Sequence, residues 1–145
     1  MKVVLLLVFL MASCRPSNQI SELVGVINER PVEGTKWLLV ELNGRAISTV
    51  DFRAPVSVVY KKETNTVSGF AGCNSFTGSY KMDGSTISST LASTHMFCQE
   101  TMEMETAFLA VLQMANNYKM EERHLVFKDK GKVVARFLAE VKPTD

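Results

Sequence analysis

Two cysteines and two histidines are the residues of this chain that could take part in catalysis or metal binding. Cys73 and Cys98 lie 25 positions apart, and His95 lies three residues before Cys98. A thiolate at the start of a helix is stabilised by the helix dipole, and a nearby imidazole could act as its base. With His124, the same side chains could supply the nitrogen and sulfur ligands that zinc prefers. The other interpretations are a disulfide between the two cysteines and a pair of buried free thiols.

The carboxylates form no recognisable acid and base pair. Glu100, Glu103 and Glu105 fall at the start of a predicted helix, and Asp51 and Asp129 fall in turn-like contexts. No order of serine, histidine and aspartate is supported by a motif, and a His-x-x-Cys pair is common by chance. The sequence therefore predicts no catalytic residues, no cofactor and no metal ion.

The N-terminus predicts export and lipidation. Lys2 precedes nine apolar residues from Val3 to Met11, and this run is too short for a membrane span of roughly 20 residues. The sequence Leu-Met-Ala-Ser-Cys that ends at Cys14 is typical of a bacterial lipobox. We therefore predict a lipoprotein signal peptide at 1–13 and acyl chains such as palmitate on Cys14, which would hold the protein stably in one leaflet. An ordinary secretory leader and an uncleaved membrane anchor are the alternatives.

The predicted cellular location is the cell envelope. Arg15, not aspartate, follows Cys14, which favours the periplasmic face of the outer membrane if the source is Gram-negative. Removal of the leader takes away Lys2 and leaves 15 basic and 15 acidic residues, a balance that argues against a nucleic-acid partner. Since disulfides persist in exported proteins, a bridge between Cys73 and Cys98 is the simplest use of the two remaining cysteines.

The elements that must position these residues are mostly strands. Residues 14–35 are predicted to form a tether and N-terminal extension, and the folded domain is predicted at 36–145. Apolar side chains recur at three- and four-residue intervals from Gln99 to Asn116, which predicts one helix. Turn residues separate the other apolar runs, among them Asp83-Gly84 after Tyr80 and Asp129-Lys130-Gly131 after Phe127. The predicted strands are Lys36 to Leu42, Val56 to Lys61, Thr66 to Ala71, Ser75 to Lys81, Thr86 to Leu91, Leu125 to Lys128 and Val133 to Glu140.

Three sequence stretches resemble the signature of the META/HslJ domain family. They are Trp37 to Gly44, then Gly-Cys-Asn-x-Phe-x-Gly-x-Tyr from Gly72 to Tyr80, then Thr-x-Met-x-Cys from Thr94 to Cys98, with Met102 and Glu105 downstream. The resemblance covers about Lys36 to Leu138. It implies an α+β, mainly β fold, in which an antiparallel half-barrel sheet wraps around one helix, as in the lipid-binding secretin pilot MxiM. Family members are often tied to the bacterial envelope. They are linked to heat-shock induction, to novobiocin resistance and, in trypanosomatid parasites, to virulence or secretion.

Several residues of the signature have structural interpretations. Gly69, Gly72 and Gly78 are expected to mark a bulge, a positive backbone angle or close backbone contact. Asn74 is expected to cap a turn, and Glu105 to cap or bridge locally. A loop of exposed amides at 72–74 that binds an anion is the alternative.

A half-barrel that cups one helix can leave an apolar crevice, and methionines near the helix could line it. Packing in the core explains the same side chains equally well. The predicted function is therefore a non-enzymatic, lipid-anchored envelope protein, which serves stress tolerance or envelope integrity by binding an envelope protein or apolar ligand. The alternatives are a pilot-like secretion chaperone and a thiol- or metal-dependent enzyme that uses Cys73, Cys98 and His95. The candidate lining residues are Phe70, Phe76, Tyr80, Phe97, Phe108 and Leu112.

Overall fold

The structure is a computed structural model that describes residues 30–48 and 52–141. The predicted signal peptide at 1–13, the predicted lipidation of Cys14, most of the predicted tether, and Asp51 lie outside these residues. No helix in the described ranges combines the length and apolarity that crossing a membrane requires.

Nine strands and one helix make up the described part of the chain. The helix α1 (Met102–Met114) lies between the sixth and seventh strands. The strands are β1 (Lys36–Leu42), β2 (Arg45–Ala46), β3 (Ser57–Lys61), β4 (Thr66–Phe70), β5 (Ser75–Asp83), β6 (Thr86–Ser93), β7 (Asn117–Glu121), β8 (His124–Asp129) and β9 (Lys132–Ala139).

The strands form one antiparallel sheet that curves into a partial ring. Its order is β2-β1-β3-β4-β5-β6-β7-β8-β9, and β1 also pairs with β9. β6 and β7 share a single residue pair, Thr86 with Asn117, so the ring is open between them. The helix connects these two strands, and its buried apolar side chains belong to the same core as the sheet. The predicted half-barrel around one helix is confirmed.

The core is built from strand residues that alternate inward and from one side of α1. On β1, Trp37 and Leu39 are fully buried. The next buried side chain is Leu42, because a bulge between Leu39 and Glu41 shifts the alternation by one residue. From the helix, Phe108 packs against Phe76 of β5 at 5.9 Å between ring centroids. The helix thus fills the space that the curved sheet encloses.

Two hairpins of the described residues have two-residue turns in which both residues have a positive φ. Asn43-Gly44 joins β1 to β2, and Lys130-Gly131 joins β8 to β9, all with positive φ between 47° and 83°. Turns of this kind match the twist of antiparallel strands and favour Asn or Gly. The predicted turn at Asp129 to Gly131 is confirmed.

The observed elements differ from the predicted ones at a few places. The helix is shorter than 99–116, because the amides of Thr101 and Met102 share the carbonyl of Cys98 in a turn before it. At its other end, the amide of Asn116 already bonds to Lys128 of the sheet at 3.0 Å. The predicted strands do not include β2, which has only two residues, or β7, although Tyr118 and Met120 alternate with polar residues there.

Candidate functional site

The Gly-Cys-Asn loop and the segment before α1 are joined by a disulfide. Cys73 lies in the loop between β4 and β5, and Cys98 lies four residues before the helix. The two sulfurs form a disulfide, as the sequence predicts, with 6.1 Å between the Cα atoms. Both sulfurs are therefore bonded to each other, and neither is a thiolate that could attack a substrate or bind zinc.

A second connection between the same segments is a buried carboxylate. Glu105 in the first turns of α1 has only 8% of its surface exposed. Its Oε2 accepts the backbone amides of Asn74 at 2.7 Å and Cys73 at 3.2 Å, and its Oε1 accepts the side-chain Nδ2 of Asn74 at 2.7 Å. Hydrogen bonds to a carboxylate are among the stronger ones in proteins, and the positive end of the helix dipole adds to them. Glu105 thus bridges the helix to the loop.

Asn74 continues this network to the segment that precedes the helix. Its Oδ1 accepts the amide of Met96 at 2.7 Å and the hydroxyl of Thr94 at 2.8 Å, while its Nδ2 donates to the carbonyl of Met96 at 3.0 Å. The side chain therefore connects two chain segments, which is more than the turn-capping role that the sequence predicts. Gly72 makes room for this loop, since its φ is +110° and a β-carbon there would overlap Met104.

The glycines of the neighbouring strands permit close backbone contact, as predicted. A β-carbon at Gly78 would overlap the carbonyl oxygen of Thr90 on β6, and one at Gly69 would overlap that of Ser57 on β3. These glycines therefore allow close backbone contact between β3 and β4 and between β5 and β6. The anion-binding interpretation of that loop has no support, because Glu105 already occupies the amides of residues 73 and 74.

An apolar surface lies directly beside the network. Phe97 is 78% exposed, Met96 is 54% exposed and Met102 is 39% exposed. We call these three residues the Phe97 surface. An open cavity of about 500 Å³ lies near them, with Phe70, Met96 and the buried Cys73 in its lining. The other exposed large apolar side chains of the described residues, Met114 and Val141, lie elsewhere in the sequence.

The six predicted ligand-lining residues separate into two groups. Phe76, Tyr80, Phe108 and Leu112 are buried members of the core. Phe70 is half-buried at the cavity beside the disulfide, and Phe97 is on the surface. The structure therefore does not place all six around one crevice.

The two histidines are apart from any group of metal ligands. His95 is exposed, and His124 is half-buried at the start of β8, opposite Glu121. Within residues 30–48 and 52–141, no three His, Cys, Asp or Glu side chains are grouped so that they could hold a metal ion. The zinc set considered from the sequence is not assembled.

A cluster of charged side chains lies on the outer surface of β1, β7 and β9. Arg136 donates to Glu121 at 2.5 Å and lies 3.6 Å from Glu41, and Glu121 also pairs with Lys119. Hydrogen bonds from Lys119 and Arg136 lower the pKa of Glu121 to about 2. The side chains of Arg136, Glu41 and Glu121 are each about one third exposed, so water competes for these contacts.

The N-terminal stretch of the described chain is held by a buried phenol. Tyr80 donates to the carboxylate of Glu33 at 2.5 Å, and its ring packs edge-on against Tyr60 at 4.9 Å between centroids. Burial, followed by the bond to Glu33, raises the pKa of Tyr80 above its usual range. Trp37 contributes as well, since its Nε1 donates to the carbonyl of Val32 at 2.9 Å.

The role of the buried Glu105 is the feature of the site that the sequence analysis describes least completely. Glu105, Phe108 and Leu112 follow one another at intervals of three and four residues, which places the carboxylate on the apolar side of the helix. A charge at such a position requires hydrogen-bonding partners. That spacing is a signal for the network, but it does not name Asn74 as the partner.

These features define a class of protein: an antiparallel half-barrel around one helix, closed at one end by a disulfide and a buried Asn–Glu network. The META domain family matches residues 30–141 of this chain. The chain therefore belongs to the META domain family. No curated protein sequence matches the chain significantly.

Solved structures show the same fold. A protein from Burkholderia xenovorans, determined by NMR, is 22% identical with a TM-score of 0.62, and the match covers 97% of this chain and 100% of that one. A second NMR structure is 18% identical with a TM-score of 0.58, over 74% of this chain and 91% of the other. A crystal structure of a DUF4847 family protein from Bacteroides vulgatus is 16% identical with a TM-score of 0.56, over 78% and 96%.

Proposed function

We propose that this protein is a non-enzymatic, lipid-anchored protein of the cell envelope that binds a partner protein through the Phe97 surface. Acyl chains on Cys14 hold it in the membrane, at the periplasmic face of the outer membrane if the source is Gram-negative. Its cellular role is stress tolerance or envelope integrity. Membership of the META domain family is consistent with this role.

The observation that carries the binding proposal is the position of Phe97 between two immobilised neighbours. Met96 is held on one side through both of its backbone polar groups by Asn74. Cys98 is held on the other side by the disulfide. An aromatic side chain that is exposed on a rigid backbone loses little entropy on binding, which favours it as an interface hot spot.

The disulfide also bears on the enzyme alternative. A thiol mechanism needs a free thiolate, and the paired sulfurs of Cys73 and Cys98 do not offer one. His95 is exposed and makes no bond to either sulfur among the described contacts. A binding role, by contrast, needs no free thiol and is compatible with the disulfide.

Site-specific photocrosslinking in living cells tests the binding proposal. A benzophenone amino acid replaces Phe97 in the full chain and, as a matched control, Met114, which is 53% exposed at the other end of α1. We expect one defined crosslinked protein from position 97 only. That protein, once purified, should bind the wild-type chain at least tenfold more tightly than it binds Phe97→Ser. A tenfold change in affinity corresponds to about 1.4 kcal/mol of binding free energy, and the loss of a hot-spot residue costs at least that much.

Equal crosslinking from both positions, or equal affinity for the wild type and Phe97→Ser, would overturn the Phe97 surface as the binding site. The anchor is tested separately by intact mass spectrometry of the detergent-extracted protein beside Cys14→Ser. A mass without acyl chains on the wild-type protein would remove the lipid anchor from the proposal.

A further inference from the structure

A groove runs between the β1–β2 hairpin and the first turns of α1. Its volume is about 530 Å³. Its floor is apolar, formed by Leu42, Ile47, Met104 and Ala107. None of these residues belongs to the Phe97 surface, so the groove is a separate feature of the fold.

One wall of the groove is a free strand edge. Among the described strands, β2 pairs with β1 alone. Arg45 lies opposite Leu42, and the amide of Ile47 bonds to Val40 at 2.9 Å, so the backbone groups of residues 45 and 47 face β1. Because successive residues of a strand alternate in direction, the amide and carbonyl of Ala46 face outward. They are available to an added strand.

The other wall is acidic. Glu100 and Glu103 line the groove from the α1 side, and neither has an ion-pair partner within residues 30–48 and 52–141. Arg45 lies on the β2 side of the groove. The groove is therefore polarised, with carboxylates on one wall, a guanidinium on the other and an apolar floor between them.

We propose that this groove binds an extended segment of a partner protein, in which Lys or Arg alternates with apolar residues. The segment adds to the edge of β2 through the backbone of Ala46. Every second side chain packs on Ile47 and Met104, and a basic side chain reaches Glu100 and Glu103. Since β2 is short, side-chain contacts provide most of the specificity, and binding is weak without them.

The test is an NMR titration of the full mature chain carrying Cys14→Ser with the peptide acetyl-Lys-Val-Lys-Val-Lys-Val-amide. We expect saturable shifts of the backbone amides of Arg45, Ala46, Ile47 and Met104. The peptide with Glu in place of Lys should bind at least tenfold more weakly. A peptide with an N-methylated central valine should bind about threefold to tenfold more weakly, since it loses one backbone hydrogen bond.

Matched variants separate charge recognition from general attraction. Glu100→Gln with Glu103→Gln should weaken binding about tenfold, because two exposed ion pairs are lost. Glu63→Gln with Glu122→Gln removes the same charge from exposed positions elsewhere and should leave binding unchanged. Phe97→Ser should also leave it unchanged, which separates this inference from the proposed function.

Three results would overturn the inference. One is that the shifts are scattered or centred on residues 96–98. Another is that both glutamate pairs affect binding equally. The third is that the same amides shift with protein concentration in the absence of peptide, since that would assign the free edge to a second copy of this chain.

Discussion

The two polar clusters of this half-barrel have similar chemistry and opposite surroundings. Glu105 is buried and receives three hydrogen bonds from Cys73 and Asn74. Glu121, by contrast, receives its bonds from Lys119 and Arg136 on an outer surface that water reaches. A buried network that loses one member leaves donors without partners, whereas water replaces a lost partner at the surface. The comparison predicts that burial, rather than charge, decides what each cluster contributes to stability.

The largest expected effect is that of Glu105→Ala. It leaves the amides of Cys73 and Asn74 and one donor of the Asn74 side chain buried without an acceptor. We expect the free energy of unfolding to fall by about 3 to 5 kcal/mol, measured by urea denaturation of the oxidised protein. Glu103→Ala, an exposed change on the same helix, should cost less than about 0.5 kcal/mol. Equal losses for the two variants would contradict the comparison.

Removal of the disulfide is the next largest effect. The double variant Cys73→Ala, Cys98→Ala should lose about 3 to 4 kcal/mol, because the unfolded chain regains the entropy of a loop of this length. The segment that precedes α1 should keep its native position, since Asn74 still bonds to the backbone of Met96. Unfolding curves give the first quantity, and the chemical shift of the Met96 amide gives the second. A wild-type unfolding energy in the double variant would show that the bridge contributes nothing.

An intermediate effect is expected at the partly buried bond between Tyr80 and Glu33. Tyr80→Phe keeps the ring against Tyr60 and removes the hydroxyl that donates to Glu33. The carboxylate is partly exposed and can bond to water instead. We expect a loss of about 1 to 2 kcal/mol in the same urea measurements. A loss as large as that of Glu105→Ala would mean that burial does not rank these contacts.

The smallest effect belongs to the surface cluster, and it depends on pH. The pKa of Glu121 is lowered from 4.5 to about 2, first by the bond from Lys119 and then by that from Arg136. Because the folded-state pKa lies below the unfolded one, the stabilisation is present above the unfolded pKa and is lost as the pH falls towards 2.

The side-chain carboxyl chemical shift of Glu121 measures this pKa directly. In the wild type the midpoint should lie near 2, and in Lys119→Ala it should move upward towards the ordinary value. The change in unfolding energy at neutral pH should be smaller than for any of the three variants above. An unchanged midpoint in Lys119→Ala would assign the lowered pKa to Arg136 alone.

Much of the fold is readable in the sequence because its signals are local. Alternating apolar residues predict β1 and β3 to β6, and the three- and four-residue spacing around Phe108 predicts α1. The hairpin at Lys130-Gly131 follows from turn chemistry. By contrast, β2 has two residues, too few to show an alternation, and the alternation in β7 involves only Tyr118 and Met120.

The site was only partly predictable for the same reason. The cysteine count and the predicted export indicate the disulfide, and the order of the signature motifs indicates the family. The list of six ligand-lining residues includes Phe97, but it does not distinguish that exposed side chain from the buried Phe108. Aromatic residues look alike in a sequence, and only packing decides which of them faces water.

The sequence by itself determined most of the alternation of strands and turns and the single amphipathic helix, because these depend on the spacing of neighbouring residues. The cysteine count and the predicted export favoured the bridge between Cys73 and Cys98, which the structure contains. The tertiary structure alone decided that Glu105 meets Asn74, that Asn74 meets Met96, and that Phe97 is presented between two immobilised residues. It also decided that β2 leaves a free edge facing Glu100 and Glu103. These contacts join residues far apart in the chain, and their free energies depend on burial, which no local pattern records.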